Sequence, residues 1–492
     1  MTKSTIANPM QNKINAPCAI TALSASSLSK AIHSKAYSCV EVMQAYLKRI
    51  ADVNPAYNAI ISLRSEAELL AEAQAHDDML AAGNSKGWLH GIPQAIKDLS
   101  PTAGIPTVYG SPLMANNVPL EDGLMVQRMK AAGAIVIGKT NVPEFGLGSH
   151  SFNTVFGATN NAFDVTKTAG GSSGGSAVAL AQHLLPVADG SDFMGSLRNP
   201  AGWNNVYGMR PSQGRVPMWP AADVWVSPMG TEGPMGRTVE DVARLMDTQA
   251  GFDVRCPISI RESFDLEHAL KPMTSAEVKS VKVLWLGDLG GYLPMEDGVS
   301  AICELALQSL SSKGCHVEHM ASQSQLGFQP ERIWDAWLTW RQALIGARLA
   351  SFIAMKNGRA QIKPEALGEY DSSLLLTGEA FMYASAQRTS FYQAMVKLLE
   401  TYDAIALPSA QVWPFDVKMR YPTEIVTTKG TVQMDTYHRW MEATIYATFA
   451  GLPCISVPAG FGSKGLPMGI QLIGKPQGDA DLLRLAAVFE GR

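Results

Sequence analysis

Residues 168–176 read Thr-Ala-Gly-Gly-Ser-Ser-Gly-Gly-Ser, and no other stretch restricts the folding of this chain so strongly. Glycine reaches backbone angles that a Cβ forbids, and it weakens any helix or strand built from it. A run this rich in glycine and serine therefore has to be a loop of special shape or a flexible linker. An apolar stretch follows, and then Gly-Ser-Asp-Phe-Met-Gly-Ser-Leu-Arg-Asn-Pro-Ala at 190–201. Two serines flanked by glycine, Ser172 and Ser196, thus stand 24 positions apart (196 − 172). Glycines beside a serine leave bare N–H groups free to face a developing negative charge. Two such sites so close together point to catalysis rather than to a linker.

The rest of the composition narrows the class. A chain of 492 residues with 46% hydrophobic and 17% charged residues is long enough for a large core and too apolar for disorder. Its formal charge of −4 gives no footing for nucleic acid or for an anionic membrane surface. Cys18, Cys39, Cys256, Cys303, Cys315 and Cys454 are scattered without a C-x-x-C pair, as expected of small buried hydrophobes in a reducing compartment. The first residues carry no apolar core of signal-peptide length, and no run approaches a membrane span. A cytoplasmic protein is expected, without membrane contact; a homodimer is left open.

Along the chain, residues 1–17 are polar and irregular. Ser38 and Glu41 form an S-x-x-E capping box, behind which Val40, Met43, Leu47 and Ile50 recur at helical spacing. Pro55 is expected to end that helix. A second helix, over 65–82, shows Glu66, Glu68 and Glu72 as a solvated face. The apolar Gln94-Ala95-Ile96 then delivers Lys97 and Asp98. A helix over 125–132 precedes Ala134-Ile135-Val136-Ile137-Gly138, whose continuous apolar character suits a strand buried on both faces. A buried helix over 177–185 and a short inner strand over 185–188 follow. Strands over 281–286 and 315–319 flank a helix over 297–311, and two longer helices cover 331–355 and 378–401. Inner strands are expected at 404–408, 454–458 and 468–473. This alternation argues for an α/β fold. One large domain is expected: a helical N-terminal region over about 18–84, a core over about 85–250 and 402–480, and an insertion over about 251–401.

Acyl transfer needs a nucleophile, a base and donors for the oxyanion. Ser196 can attack, with the backbone N–H groups of Phe193, Met194 and Gly195 as oxyanion donors. Lys97, at the end of a buried strand, is a candidate base, because burial disfavours the charged form of a lysine.

Further motifs sharpen this reading. The segments 170–176 and 190–201 resemble the signature of the amidase signature family of serine hydrolases. Gly91-Ile92-Pro93-Gln94-Ala95-Ile96-Lys97-Asp98 resembles that family's lysine-bearing strand. The stretches 138–145, 233–239 and 451–458 are similar to its later motifs. The resemblance implies a large mixed β-sheet flanked by helices and a Ser–cis-Ser–Lys triad. On that pattern Ser196 is the nucleophile, Ser172 the relay and Lys97 the base, with Ser173, Asp192 and Arg198 in the supporting network. It implies no cofactor and no metal. One departure concerns Met194, which stands where many members have glycine; its side chain either narrows the acyl pocket or packs into the core.

Other readings are weaker. Gly171-Ser172-Ser173-Gly174-Gly175 also fits the G-x-S-x-G elbow of α/β-hydrolases, which would make Ser173 the nucleophile and require a histidine such as His438. A strand should precede that elbow, whereas 160–167 reads as a loop. His316 and His319 lack further ligands of suitable spacing for a metal. A non-catalytic scaffold would be expected to have lost a triad residue, and all three are present. Within the family, the glutamine-hydrolysing subunit of a tRNA-dependent amidotransferase is the main rival; 351–377 lacks the Y-G-R-type stretch which that subunit shows. Trp334, Trp337 and Trp340 on one helix, Phe381, Tyr383, Phe391 and Tyr392 on the next, and Trp203, Trp219 and Trp225 read first as core. They would also suit a small, largely uncharged, apolar or aromatic amide, ester or carbamate.

Overall fold

The structure is a computed structural model that describes residues 16–226 and 228–491. Most of the polar leading segment, 1–15, lies outside the described residues. The N-terminal region is helical: α1 (Ala19–Ala22), α2 (Ala25–His33), α3 (Cys39–Tyr57), the two-residue strand β1 (Ile60–Ile61), and α4 (Glu66–Ala81). The capping box forms as expected: Ser38 Oγ accepts from the Glu41 N–H at 3.1 Å, and Glu41 Oε2 accepts from the Ser38 N–H at 2.8 Å. Pro55 does not end α3. The helix continues to Tyr57 and stops at Asn58, which takes a left-handed conformation with φ 51°. A missing N–H so near a helix end forfeits only one bond, where the ladder frays anyway.

Next come β2 (Pro93–Lys97), α5 (Leu124–Ala131) and β3 (Ile135–Thr140). The apolar run does form a strand buried along its whole length. It belongs to a small three-stranded sheet, parallel to β2 and antiparallel to β1. After the short hairpin β4 (Phe152–Asn153) and β5 (Gly157–Ala158), the glycine-rich loop leads into α6 (Gly174–Ala181). The chain continues through β6 (Val187–Asp192), α7 (Arg198–Trp203), β7 (Tyr207–Arg210), β8 (Thr231–Gly236) and α8 (Val239–Gln249). Then follow α9 (Leu266–Leu270), α10 (Ser275–Ser280), β9 (Lys282–Trp285), α11 (Val299–Ser312) and β10 (His316–His319). A helical layer comes next, with α12 (Pro330–Ile353), α13 (Gly358–Gln361), α14 (Pro364–Ser373) and α15 (Gly378–Leu399). The chain closes with β11 (Ala404–Pro408), the hairpin β12 (Glu424–Thr427) and β13 (Gly430–Gln433), α16 (Ile445–Ala450), β14 (Cys454–Phe461), β15 (Pro467–Gly474) and α17 (Asp479–Glu490).

The main sheet has eight strands in the order β10-β9-β11-β15-β14-β7-β8-β6 and is mixed: β10, β9 and β11 run parallel, and the remaining neighbours are antiparallel. The fold is the mixed α/β architecture expected. Because β9 and β10 join this sheet, the purely helical part of 251–401 narrows to α12–α15. Strand β6 lies at the end of the ladder rather than inside it, and the small sheet covers its edge. There Gln94 Nε2 donates to Val187 O at 2.7 Å, and the Asp189 carboxylate accepts from the Lys97 N–H at 3.1 Å. That seam brings the lysine strand to the glycine loops.

Two large hydrophobic cores meet at the same place. Met194 belongs to the core of the main sheet and its helical layer, whereas Leu197 belongs to the core of the N-terminal helices and small sheet. Trp334, Trp337, Trp340 and Phe391 are buried in the first core, and so is Trp203; Trp225, Tyr383 and Tyr392 are exposed. Five cysteines are buried and unpaired as expected, but Cys18 is exposed. Among the described residues, no helix is long and apolar enough to cross a membrane.

Candidate active site

The loop before α6 and the loop between β6 and α7 lie against each other. The Ser173 N–H donates to Ser196 O at 3.2 Å, and Asn199 Oδ1 accepts from the Gly171 N–H at 3.3 Å. The Gly171–Ser172 peptide is cis, as the family resemblance implied. Glycine is required at two points of this junction. Gly195 has φ +82°, and a Cβ there would stand 2.6 Å from Thr444 Cβ and Cγ2. At Gly190 a Cβ would lie 2.7 Å from Ser173 Oγ, so only glycine lets β6 approach the first serine loop this closely.

Lys97 enters from the end of β2 and is fully buried. Its Nζ lies 2.8 Å from Ser172 Oγ, 2.8 Å from Ser173 Oγ, 2.9 Å from Ser191 Oγ and 3.1 Å from Ser191 O. Burial is the largest influence on this amine and outweighs the attraction of Asp189, Asp192 and Glu232, lowering it from the ordinary lysine value to about 7. Ser173 is also the N-cap of α6, so the positive end of that helix points at Lys97 and further disfavours an ammonium. The neutral amine, with its lone pair next to the Ser172 hydroxyl, is thus accessible near neutral pH.

Ser196 follows Gly195 in the second loop. It is largely buried, and its hydroxyl makes no hydrogen bond with any described residue. Lys97, Ser172 and Ser173 are thus joined by side-chain hydrogen bonds, whereas Ser196 is tied to them through its backbone. Of the expected oxyanion donors, the Phe193 and Met194 N–H groups have no protein acceptor among the described residues. Gly195 does not fit: its N–H donates to Asp192 Oδ1 at 2.9 Å. That bond holds the turn, and in its place the Ser196 N–H has no protein acceptor among the described residues.

Asp192 and Arg198 form the frame. The carboxylate also accepts from the Leu197 N–H at 3.1 Å and from Arg198 Nε at 3.0 Å and Nη2 at 2.9 Å. Arg210 Nη1 lies 3.7 Å from it. Burial alone would raise Asp192, but the two guanidinium groups and the N–H donors hold it well below the usual carboxylate range. Arg198 continues to Gln471 Oε1 at 2.6 Å and Thr448 Oγ1 at 3.0 Å, fixing the loop to β15 and α16. Met194 resolves in favour of packing: it is buried, with Sδ 3.9 Å from Arg341 Nη1. Arg341 is itself held by Glu369 and stands over the Phe193 ring at 5.7 Å.

Several participants have no counterpart among the expected residues. Ser191 holds Lys97 Nζ, and Asp189 holds its backbone N–H. Both lie on β6 two residues apart, so they face the same side; the Asp-Gly-Ser-Asp spelling of that strand was the available signal. Beneath them Glu232 pairs with the Ser100 hydroxyl, and burial raises its carboxyl to about 7. Lys139 Nζ donates to Ser100 O at 2.6 Å and Thr102 Oγ1 at 2.7 Å. This lysine belongs to Gly133-Ala134-Ile135-Val136-Ile137-Gly138-Lys139-Thr140, which spells G-x-x-x-x-G-K-T, the pattern of a phosphate loop. Here those letters fall on a buried strand and the lysine is already spent, so no phosphate cradle results. The G-x-S-x-G reading fails on geometry as well: Ser173 Oγ is held by Lys97, no strand leads directly into it, and both ring nitrogens of His438 are buried with no hydrogen-bond partner among the described residues. No group of three or more His, Cys, Asp or Glu side chains suited to a metal occurs among the described residues.

Fold and site together define an enzyme of the carbon–nitrogen hydrolase class. The family model described as Amidase matches residues 41–483, and the chain belongs to the amidase signature family. An acylamidase of Rhodococcus erythropolis is 31% identical over 469 residues, covering 95% of each chain. A glutamyl-tRNA(Gln) amidotransferase subunit of Symbiobacterium thermophilum is 32% identical over 496 residues, covering 95% of this chain and 96% of its own. Among solved structures, a bacterial aryl acylamidase of the amidase signature family superposes with a TM-score of 0.86 at 27% identity, over 95% of this chain and 96% of its own. The corresponding amidotransferase subunit of Thermotoga maritima gives 0.75 at 28% identity, over 96% and 95%.

Proposed function

We propose that this enzyme hydrolyses a small amide through an acyl-enzyme on Ser196, with Ser172 relaying a proton to Lys97. The observation that carries the reading is the 2.8 Å contact between a fully buried, depressed lysine amine and the Ser172 hydroxyl, one loop away from Ser196. As neutral Lys97 accepts the Ser172 proton, Ser172 takes that of Ser196. The Ser196 oxygen then bonds to the amide carbon. The oxyanion forms opposite the free N–H groups of Phe193, Met194 and Ser196, and each such donor is worth about 10²–10³ in rate. The proton held on Lys97 returns through Ser172 to the nitrogen, the C–N bond breaks and the amine departs. Water repeats the sequence on the acyl-enzyme and releases the acid.

The preferred substrate is a linear amide with an apolar or aromatic body. In support, the Phe193 side chain beside the nucleophile packs against Trp337. The aryl acylamidase similarity points the same way. The amidotransferase relatives keep glutamine as a second reading, since their identity to this chain is no lower. The deciding experiment assays aryl amides, lactams, carbamates and glutamine on the purified chain, beside Ser196→Ala. Hydrolysis of aryl amides that vanishes in Ser196→Ala is expected. Turnover of glutamine alone would favour the second reading, and full activity in Ser196→Ala would overturn both.

A further inference from the structure

Two of the oxyanion donors stand on a stretch without backbone support of its own. Strand β6 ends at Asp192, and the carboxylate of that residue takes up the chain again only at the Gly195 and Leu197 N–H groups. Between these points Phe193 and Met194 make no backbone hydrogen bond, by N–H or by carbonyl, among the described residues. Their side chains hold them instead. The Phe193 ring lies 5.3 Å from the Trp337 ring, and the Arg341 guanidinium stands 5.7 Å above it. Met194 Sδ accepts a weak hydrogen bond from Arg341 Nη1 at 3.9 Å. Trp337 and Arg341 are four residues apart (341 − 337) on α12, so a single face of that helix grips both donors.

Arg341 is itself fixed. Its Nε donates to Glu369 Oε1 and its Nη2 to the Tyr437 hydroxyl, and that hydroxyl donates to the same carboxylate oxygen at 3.0 Å. Two edges of the planar guanidinium are thereby held, which leaves Nη1 and one ring-facing side for the loop. Further along the same face of α12, Ile345 and Leu349 pack with Phe145 and Leu147. That cluster borders the relay serine, because a Cβ on the intervening Gly146 would stand 3.7 Å from Ser172 Oγ. One helix thus sets both catalytic loops.

An oxyanion hole lowers the barrier because its donors already point at the place where charge develops. Resting on the amidase reading, we propose that Arg341 is a positioning residue for this reaction: through the side chains of Phe193 and Met194 it aims their N–H groups at the oxyanion. Its charge is neutralised by Glu369, so its part lies in geometry. The departure at Met194 then has a purpose. A glycine offers a guanidinium no side chain to hold, whereas the methionine sulfur ties the donor to α12.

Arg341→Met, assayed on an aryl amide, tests this. A displacement of about 1 Å costs about 10² in rate, so kcat should fall about 10- to 100-fold while KM stays within about twofold. Affinity for a trifluoromethyl ketone, which bonds to Ser196 as a tetrahedral oxyanion, should fall by the same factor. Arg341→Met leaves a buried carboxylate unpaired, so the double variant Arg341→Met/Glu369→Gln, which removes both charges, is measured beside it and should show the same loss of kcat. Unchanged kcat, a loss confined to KM, or an undiminished affinity for the ketone in the folded variants would overturn the assignment. Absence of amide hydrolysis in the wild type would instead count against the amidase reading. In that event the assignment is read from the rate at which a fluorophosphonate labels Ser196, since its phosphoryl oxygen takes the place of the oxyanion. Labelling about tenfold slower in the double variant supports the positioning role, and an equal rate overturns it.

Discussion

A lysine amine is a useful base at neutral pH only if its proton is easily lost, and three features of this chain arrange that. Lys97 is buried, sits at the positive end of α6, and is held by hydroxyls and a carbonyl instead of by a carboxylate. In the proposed mechanism the neutral amine is the active form, and burial lowers it to about 7, so kcat/KM should fall as pH drops below 7 and level off above it. Lys97→Ala should lose about 10²–10⁴ in kcat/KM at neutral pH and lose this limb of the profile as well. The lysine, both serines and the Asp192–Arg198 pair are legible in the sequence because motifs specify them residue by residue. Asp189, Ser191 and Glu232 are not, because their roles depend on the seam where β2 meets β6, which neither strand's sequence encodes. Gly195 looks like an oxyanion donor in the sequence for a similar reason: whether its N–H is free depends on where the Asp192 carboxylate turns.

Most helices and strands are visible from periodicity and apolar runs. Their grouping is less so: the run at 134–138 reads as a strand buried on both faces, which it is, but nothing in it tells that it builds the small sheet that carries Lys97. Likewise 281–286 and 315–319 read as part of an insertion, although β9 and β10 extend the main sheet. Strand partners are long-range choices that local pattern does not specify. The helical layer has its own anchor, the Arg341–Glu369 pair between α12 and α14, with side-chain exposures of 3% and 4%. Glu369→Ala would leave a buried guanidinium unpaired and should cost about 3–5 kcal/mol of folding stability. Denaturant unfolding measures this, and a change within error would show that the layer does not depend on the pair.

At the scale of the molecule, two cores meet along the catalytic loops, and the seam between them contains buried acids. Burial raises Glu232 to about 7 and Asp98 and Asp189 to about 6. In the folded state each holds a proton that the unfolded chain releases near pH 4, so the contribution of these three acids to stability should decrease as pH rises from about 4 towards 7 and be constant above that. Glu232→Gln removes one such group. Its stability relative to wild type should therefore be higher at pH 8 than at pH 4.5, as read from denaturant midpoints at the two values. A difference independent of pH would contradict the raised carboxyl. The whole mechanism turns on Ser196 being the residue acylated. Labelling the intact enzyme with a fluorophosphonate and locating the adduct by peptide mass spectrometry tests this without intermediate steps. A single adduct on Ser196 is expected, lost in Ser196→Ala and slowed in Lys97→Ala; an adduct on Ser173 or Ser172 would contradict the mechanism.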